Sequence, residues 1–446
     1  MTPVSNIAVP SARGTDLYRA VWRWHFYAGL IVLPFLVSLA VTGALYLFRD
    51  EIEAIVHADL KKVAVAETRV PVSNLVAVAL ADHPGQAVKY TDPATPETSA
   101  EITVQTQGGE RLAVYVDPYT GRVLGSLPDR GTIMWTIRRL HSLKEFGPVA
   151  RGIIEIAGGW AILLVATGIY LWWPRGRGGV LSVRGQPRQR IFWRDLHAVT
   201  GLLAGGVIAF LAITGMPWSN IWGGQVNQWV NGSNFGYPSG VRVNVPVSNE
   251  HLNHTSPTSW SLEQAKVPQS VGSGEGIDVD RAIAIVEGLG LHRGYAMALP
   301  TKPDGVYSAS VYPDDVAQQR VVHIDQYSGK PLIDMRYADY GPLGRALEWG
   351  INVHLGQQFG RVNQFGLLGF CVLIVLMSVS AGVMWWKRRP EGGLGVPPLP
   401  AERSRIYGIA AILGVGGIVF PLTGASFLAV LALDRLIGWR RPAQTS

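Results

Sequence analysis

The sequence predicts a membrane all-α helical bundle of five transmembrane helices, arranged as a tandem duplication, with two small α+β domains outside the membrane. Hydrophobic residues make up 48% and charged residues 16% of the 446 residues, which leaves too little charge for a water-facing surface. Five apolar runs approach or exceed the roughly 20 residues that a helix needs to cross a bilayer core about 30 Å thick. Characteristic residues also recur at the same spacing in two parts of the chain.

The five apolar runs divide the chain into membrane and aqueous segments. A buried helix of a soluble protein explains one such run but not five. The predicted segments are a cytoplasmic N-terminal segment 1–21, span one at 22–49, an outer domain at 50–139, an interfacial segment with span two at 140–174, a cytoplasmic basic loop at 175–194, span three at 195–219, a second outer domain at 220–348 with a long loop at 231–276, an interfacial segment with span four at 349–386, a cytoplasmic loop at 387–405, span five at 406–437 and a tail at 438–446.

The positions of lysine and arginine predict the orientation of the spans. Six arginines lie between Arg175 and Arg194 with no acidic residue among them, and five basic residues follow span four. Short loops rich in Lys and Arg stay in the cytoplasm, so both outer domains are expected in the periplasm of a bacterial inner membrane. The net charge of +7 is therefore explained by the membrane and its lipids, and nucleic-acid binding is excluded. Span five leaves Arg440 and Arg441 outside, so Pro421 and Gly424 offer a broken or re-entrant helix as the alternative.

Both outer segments show the same predicted order of helix, two strands and a tight turn. The spacing of apolar residues and the alternation of polar and apolar residues are typical of these elements. In the first segment they are a helix at 70–81, strands at 101–106 and 111–116 and a turn at 117–121; in the second they are a helix at 280–289, strands at 306–312 and 320–325 and a turn at 325–329.

An internal repeat places four histidines at the ends of the first four spans. His25 and His197 are each followed by Gly after four residues, by Thr after 17 and by Gly after 18. His141 and His354 are each followed by Phe-Gly after five residues and by a Trp pair after 31. Chance does not account for this many matches, so the chain is interpreted as two copies of one unit with span five appended.

Two of these histidines fall at each face of the membrane, and imidazole is a strong ligand for haem iron. A helical bundle holds haem b between histidines of two facing helices. We expect His25 and His197 to ligate an inner haem, and His141 and His354 an outer one. The single cysteine, Cys371, excludes the C-x-x-C-H attachment of c-type haem. For one histidine alone, anchoring at the membrane interface explains the position equally well.

Glycines and arginines near the histidines are candidate haem contacts. Gly29 and Gly201 lie one turn from their histidines on the same helix face, where a flat ring needs room, although helix packing explains them equally. Cationic partners for the propionates are expected among Arg138, Arg139, Arg23 and Arg194. The positive-inside bias also explains the last two, so the outer pair is the better candidate.

Other polar residues give weaker signals. Glu155, near the outer end of span two, is expected to pair with Arg151 one turn earlier, with proton transfer as the alternative. His251 and His254 form an H-x-x-H in a loop without a third ligand, which favours a solvated loop over a metal site. No glycine-rich fingerprint for NAD or flavin follows a strand, so electrons have to come from outside the chain.

These motifs resemble the PepSY-associated transmembrane helix family, iron-regulated inner-membrane proteins that include ferric-siderophore reductases. The resemblance covers about Trp22 to Leu436 and rests on the four histidine motifs, the Thr-Gly pairs, the Trp-Trp ends and Pro421-Leu-Thr-Gly424. It implies two bis-His b haems, outer PepSY domains and an oxidoreductase that reduces a periplasmic ferric siderophore. It assigns no catalytic residue beyond the haem ligands. Some relatives carry a fused flavoprotein reductase, which this sequence lacks, so the expected donor is quinol or a separate cytoplasmic reductase.

Two alternatives stay open at this point. A haem-free protein of this architecture would use its outer domains to bind or regulate a periplasmic partner. A di-haem protein could also reduce an acceptor other than a ferric siderophore.

Overall fold

The structure, a computed structural model, describes residues 12–173, 181–219, 221–232, 247–251, 262, 266–391, 393–398, 414 and 416–439. Its helices are α1 (Ala12–Leu47), α2 (Arg49–Val56), α3 (Ala58–Lys61), α4 (Val72–Asp82), α5 (Ile133–His141), α6 (Gly147–Trp172), α7 (Arg190–Gly215), α8 (Trp222–Gly232), α9 (Val279–Gly288), α10 (Pro342–His354), α11 (Gly360–Arg388) and α12 (Pro421–Trp439). Its strands are β1 (Gly85–Thr91), β2 (Ala100–Thr106), β3 (Arg111–Val116), β4 (Val123–Pro128), β5 (Val247–His251), β6 (Lys266–Pro268), β7 (Ala296–Ala298), β8 (Val306–Val311), β9 (Arg320–Asp325) and β10 (Pro331–Arg336).

The chain divides into two compact units. The helical unit comprises Met1–Ala44, His141–Gly223 and Leu368–Ser446, and the sheet unit comprises Leu45–Leu140 and Gly224–Leu367.

Within the described residues, four helical segments are long and apolar enough to cross a membrane, which makes this a multi-pass membrane protein. They are Asp16–Leu47, Lys144–Trp172, Arg190–Trp218 and Gly360–Arg388, in the places predicted for spans one to four. Helix α1 begins at Ala12, ten residues before the predicted start of span one. No proline lies between Pro10 and Pro34, so nothing in the sequence stops the helix from extending beyond the apolar run.

Within the described part of the predicted span five, 406–437, the helix is broken into a hairpin at Pro421, which is the alternative that Pro421 and Gly424 offered in the sequence. A helical turn at residues 416–419 ends there, the chain bends at Phe420, and α12 begins at Pro421. A Cβ on Gly417 would lie 2.6 Å from the Cα of Gly424, whereas seven residues of continuous helix would separate the two by about 10 Å. The chain therefore reverses at Pro421, which has no N–H to continue the helix, and the two glycines let the arms touch.

Aromatic side chains join α12 to the long helices of the helical unit. The rings of Trp24 and Phe427 lie 4.6 Å apart, centre to centre, and Trp160 stands 6.2 Å from Phe427. The indole Nε1 of Trp160 donates to Ser426 Oγ at 2.9 Å. Helix α12 is thereby packed against α1 and α6.

Glu155 is buried and does not form the predicted ion pair with Arg151. Its side chain is 0% exposed, and its Oε2 accepts hydrogen bonds from the backbone N–H groups of Ile221 and Trp222 at 3.0 and 3.1 Å. Arg151 instead donates to the carbonyl oxygen of Trp218 at 2.9 Å. The helical spacing of four residues made an ion pair plausible, but the free N–H groups at the start of α8 satisfy the carboxylate instead.

The two predicted outer domains share one continuous antiparallel sheet in the sheet unit. Its strand order is β10-β9-β8-β7-β1-β2-β3-β4. The halves meet where β1 pairs with β7, with Tyr90 opposite Met297. Each half consists of a helix followed by four strands, α4 with β1 to β4 and α9 with β7 to β10. The four strands predicted from alternation are confirmed to within one residue, but the sequence pattern did not predict β1, β4, β7 or β10.

Helices α4 and α9 pack on the same face of this sheet. Leu75 and Ala79 of α4 and Ile283 and Val286 of α9 belong to one buried cluster with residues of six strands. Burial of this apolar surface from both halves stabilises them as one body, which neither four-stranded half could achieve as well alone.

A buried carboxylate reinforces the junction of the two halves. Asp92, just after β1, accepts a hydrogen bond from Gly294 N at 3.1 Å and pairs with Arg293 at 2.9 Å. Arg69, before α4, approaches the same carboxylate at 3.6 Å. One anion thus binds cations from both halves, and its 3% exposure limits screening by water.

The opposite face of the second half buries a polar pair. Ser308 on β8 and His323 on β9 are cross-strand neighbours, and Ser308 Oγ lies 2.8 Å from His323 Nδ1. Burial lowers the pKa of His323 to about 4, because a charged imidazole loses its solvation there.

We expect acid to destabilise the sheet unit through His323. The folded state holds this ring neutral, whereas the unfolded chain protonates it below about pH 6.5. The folded state therefore binds fewer protons between pH 6.5 and 4, and the free energy of unfolding should fall by up to about 3 kcal/mol as the pH drops through that window. Thermal unfolding of the full chain, followed by tryptophan fluorescence, measures this loss.

The variant His323→Asn should lose much less stability over the same pH window. His292→Gln, which changes an exposed histidine of the same unit, is the matched control and should behave like the wild type. Equal acid sensitivity of His323→Asn and the wild type would contradict the assignment.

Candidate functional site

Two of the four predicted haem ligands lie side by side in the helical unit. The ring centres of His25 on α1 and His197 on α7 are 6.4 Å apart, and the ring planes differ by 77°. Metal–imidazole bonds of about 2.0–2.1 Å, with about 1.1 Å more from Nε2 to each ring centre, place two imidazoles on one metal ion roughly 6.3 Å apart. The observed spacing therefore fits two axial ligands of a single iron.

The hydrogen bond of His25 fixes which ring nitrogen carries the proton. Its Nδ1 lies 2.8 Å from Thr167 Oγ1 on α6, and that hydroxyl lies 2.7 Å from the carbonyl oxygen of Leu163. A threonine hydroxyl has one proton, and it donates this proton to the carbonyl because a carbonyl can only accept. The hydroxyl oxygen must then accept from Nδ1–H of His25. Nε2 is left unprotonated, as a metal ligand requires.

His197 is held in the same protonation state by a backbone carbonyl. Its Nδ1 lies 3.1 Å from the carbonyl oxygen of Met377 on α11. Since this oxygen cannot donate, Nδ1 carries the proton and Nε2 is again the free nitrogen. Both members of the pair thus present the nitrogen that haem iron binds, with the other nitrogen oriented by a second contact.

His141, the last residue of α5, is held in the same way, here by a threonine of α1. Its Nδ1 lies 2.9 Å from Thr42 Oγ1 on α1, and the Thr42 hydroxyl lies 2.6 Å from the carbonyl oxygen of Ser38. By the same argument Nε2 of His141 is unprotonated. His25 and Thr42 are 17 residues apart on α1, about 25 Å along the helix. The two sites therefore lie near opposite ends of a bilayer core about 30 Å thick.

The fourth histidine lies in the other unit. His354 ends α10 and is partly buried. The structure thus brings His25 and His197 together, while the pairing of His141 with His354 stays a prediction.

The glycines near the histidines have different surroundings. A Cβ added to Gly29 would meet nothing within 4 Å, so there is open space one turn from His25. A Cβ on Gly201 would lie 3.5 Å from Met377 Sδ, which indicates close packing of α7 on α11. Gly29 therefore fits the predicted room for a flat ring, whereas Gly201 fits the helix-packing alternative.

The four predicted propionate partners all contact protein groups. Arg23 donates to the carbonyl of Pro397 and lies over the ring of Tyr27 at 5.5 Å. Arg194 pairs with Asp195 at 2.7 Å. Arg138 lies 4.8 Å from the ring centre of Trp135, and Arg139 donates to Thr136 Oγ1 at 3.2 Å. Their role toward propionates stays a prediction.

The sequence analysis missed Thr167 and gave Thr42 no role beyond its position in the repeat. The signal that could have identified them is the Thr-Gly pair, which occurs in spans one to three at 42–43, 167–168, 200–201 and 214–215, and again at 423–424. In the pairs at 42–43 and 167–168, the glycine lies against the imidazole that its threonine holds. A Cβ on Gly43 would lie 3.4 Å from His141 Cε1, and one on Gly168 would lie 3.4 Å from His25 Cε1.

No group of three or more His, Cys, Asp or Glu side chains suited to a metal ion occurs within the described ranges. His251 ends β5, and His254 lies outside the described residues.

The comparison with known families agrees with this architecture. Residues 22–388 match the family described as PepSY-associated TM region, which covers the four spans and the sheet unit. The chain belongs to this family. No curated protein matches the chain.

Proposed function

We propose that this family member is a bis-His haem b protein that transfers electrons across the bacterial inner membrane to a ferric siderophore in the periplasm. The observation that supports this most directly is the pair His25 and His197, whose spacing of 6.4 Å and unprotonated Nε2 atoms suit one iron between them. The resemblance to ferric-siderophore reductases supplies the substrate class.

The residues of the inner site hold and orient the two ligands. Thr167 and the Met377 carbonyl keep the proton of each imidazole on Nδ1, so neither ring has to lose a proton to bind iron. The open space beside Gly29 leaves room for a planar ring next to His25. Haem bound there would supply reversible one-electron chemistry of its iron.

At the other end of α1, Thr42 orients His141 for an outer site that His354 would complete. Haem held there would supply the one electron that reduces Fe(III) of the siderophore to Fe(II). Hard oxygen ligands such as hydroxamates hold Fe(II) less tightly, so the iron is released. Quinol or a cytoplasmic reductase would supply the electron, because the sequence has no nicotinamide or flavin fingerprint of its own.

Spectra of the purified, detergent-solubilised protein test the proposal. We expect a low-spin b-type absorbance spectrum with about two haems per chain in a pyridine haemochrome assay, since four histidines bind two irons in pairs. Each of His25→Ala and His197→Ala should lose one haem and keep the other. His251→Ala is the matched control and should keep both.

Reoxidation identifies the acceptor. Dithionite-reduced protein should be reoxidised by a ferric siderophore with release of Fe(II), trapped by a ferrous chelator. A colourless protein from haem-replete cells would leave the haem-free regulatory function instead. A red protein that ferric siderophores do not reoxidise would indicate a different acceptor.

The hydroxyl of Thr167 should tune the potential of the inner site. A hydrogen bond from Nδ1–H makes the imidazole a stronger donor and so favours Fe(III). Thr167→Val removes the acceptor at nearly constant volume, and the potential of this haem should rise by roughly 20–60 mV, the equivalent of one hydrogen bond. Redox potentiometry measures the shift, and Thr167→Ser should restore the wild-type value.

Thr200→Val is the matched control for this variant. Thr200 is a buried threonine of α7 whose hydroxyl also lies 2.7 Å from a carbonyl one turn earlier, that of Leu196. Its removal should leave both potentials unchanged. An unchanged potential in Thr167→Val, with haem retained, would contradict the tuning role.

A further inference from the structure

Glu155 occupies a polar site at the tip of the helical hairpin. It is the only acidic residue of α6, and its Oε2 binds the first N–H groups of α8 as described above. The ring of Trp222 from α8 packs 5.7 Å from that of Phe420 at the hairpin bend. The carboxyl group therefore lies where α6, the start of α8 and the hairpin meet.

Among the described residues, two polar atoms at this junction are buried without a hydrogen-bond partner. They are Oε1 of Glu155 and Oγ1 of Thr423, whose side chain is 2% exposed. The Thr423 side chain fills the place where a Cβ of Gly159 would stand. Gly159 lies one turn after Glu155 on the same face of α6, so both unpartnered atoms face the same region between α6 and α12.

The charge of Glu155 is only partly compensated. Arg151, the nearest basic residue on α6, is bound to the Trp218 carbonyl, and the two N–H groups reach only Oε2. A buried carboxylate without a cation is costly at membrane depth, and intramembrane acids commonly carry protons or ions. A cation, either a metal ion or a proton, is therefore expected to bind at Oε1 of Glu155.

A proton fits this site better than a metal ion. Sodium or calcium requires about six oxygen ligands, whereas the site offers one carboxylate oxygen and one hydroxyl. A proton needs only Oε1, which it turns from an unpartnered acceptor into a donor, and Thr423 Oγ1 is an acceptor on the facing helix.

We propose that Glu155 is a proton-binding site that takes up one proton from water when the protein receives an electron. The carboxylate and the proton form a carboxylic acid, and the added positive charge offsets the added electron. The coupling to reduction rests on the proposed function, whereas proton binding at Glu155 does not.

Reduced-minus-oxidised infrared difference spectra of the full-length protein in nanodiscs test the proposal. The wild type should gain a carboxylic acid C=O band on reduction, and this band should shift in D₂O. Glu155→Gln keeps the acceptor for the two N–H groups and should lose the band. Glu145→Gln, at an exposed acid just before α6, is the matched control and should keep it.

Each outcome distinguishes this inference from the proposed function. A haem-containing wild type without the band, or with a band that persists in Glu155→Gln, would overturn the inference alone. If the protein binds no haem, an infrared pH titration still tests proton binding, since the C=O band should titrate in the wild type and vanish in Glu155→Gln. If Glu155→Gln does not accumulate, the wild type is labelled with carboxyl-¹³C glutamate instead. The label must then shift the frequency of the C=O band, and an unshifted band would overturn the inference.

Discussion

A threonine hydroxyl carries one proton, and in α1 and α6 that proton binds a carbonyl of the same helix. The hydroxyl oxygen of Thr42 or Thr167 is then free only to accept, and a histidine of another helix, His141 of α5 or His25 of α1, donates to it. Each contact joins the two helices and also decides which imidazole nitrogen can bind iron. The rest of the helical unit depends on this constraint. Helices α7 and α11 position His197, and this position is useful for binding iron only if the ring of His25 opposite it is already oriented.

The two contacts orient two histidines in the same way, one near each end of α1. His25 of α1 binds Thr167 of α6, and His141, six residues before α6, binds Thr42 of α1. The glycines that follow the threonines leave room for the imidazoles. The electron transfer that we propose would require such a site near each membrane face.

Hydropathy and the repeat were sufficient to predict four spans, the position of the histidines and four strands. These features depend on local composition and on spacing within one chain. The shared sheet was not predictable, because the pairing of Tyr90 with Met297 joins strands over 200 residues apart, and β7 has only three residues. The burial of Glu155 was missed for a similar reason, and the break at Pro421 was predicted only as an alternative to a complete span five. Both depend on contacts with other helices, Gly417 with Gly424 and Glu155 with α8, that hydropathy does not reveal.

The central claim is that His25 and His197 bind one haem iron through Nε2. The most direct measurement is a cryo-EM map of the protein purified from haem-replete cells, at a resolution that shows side chains. The account predicts planar density between the two imidazoles, with both Nε2 atoms facing its centre and Nδ1 of His25 still on Thr167. Imidazoles in direct van der Waals contact, with no planar density between them, would contradict it.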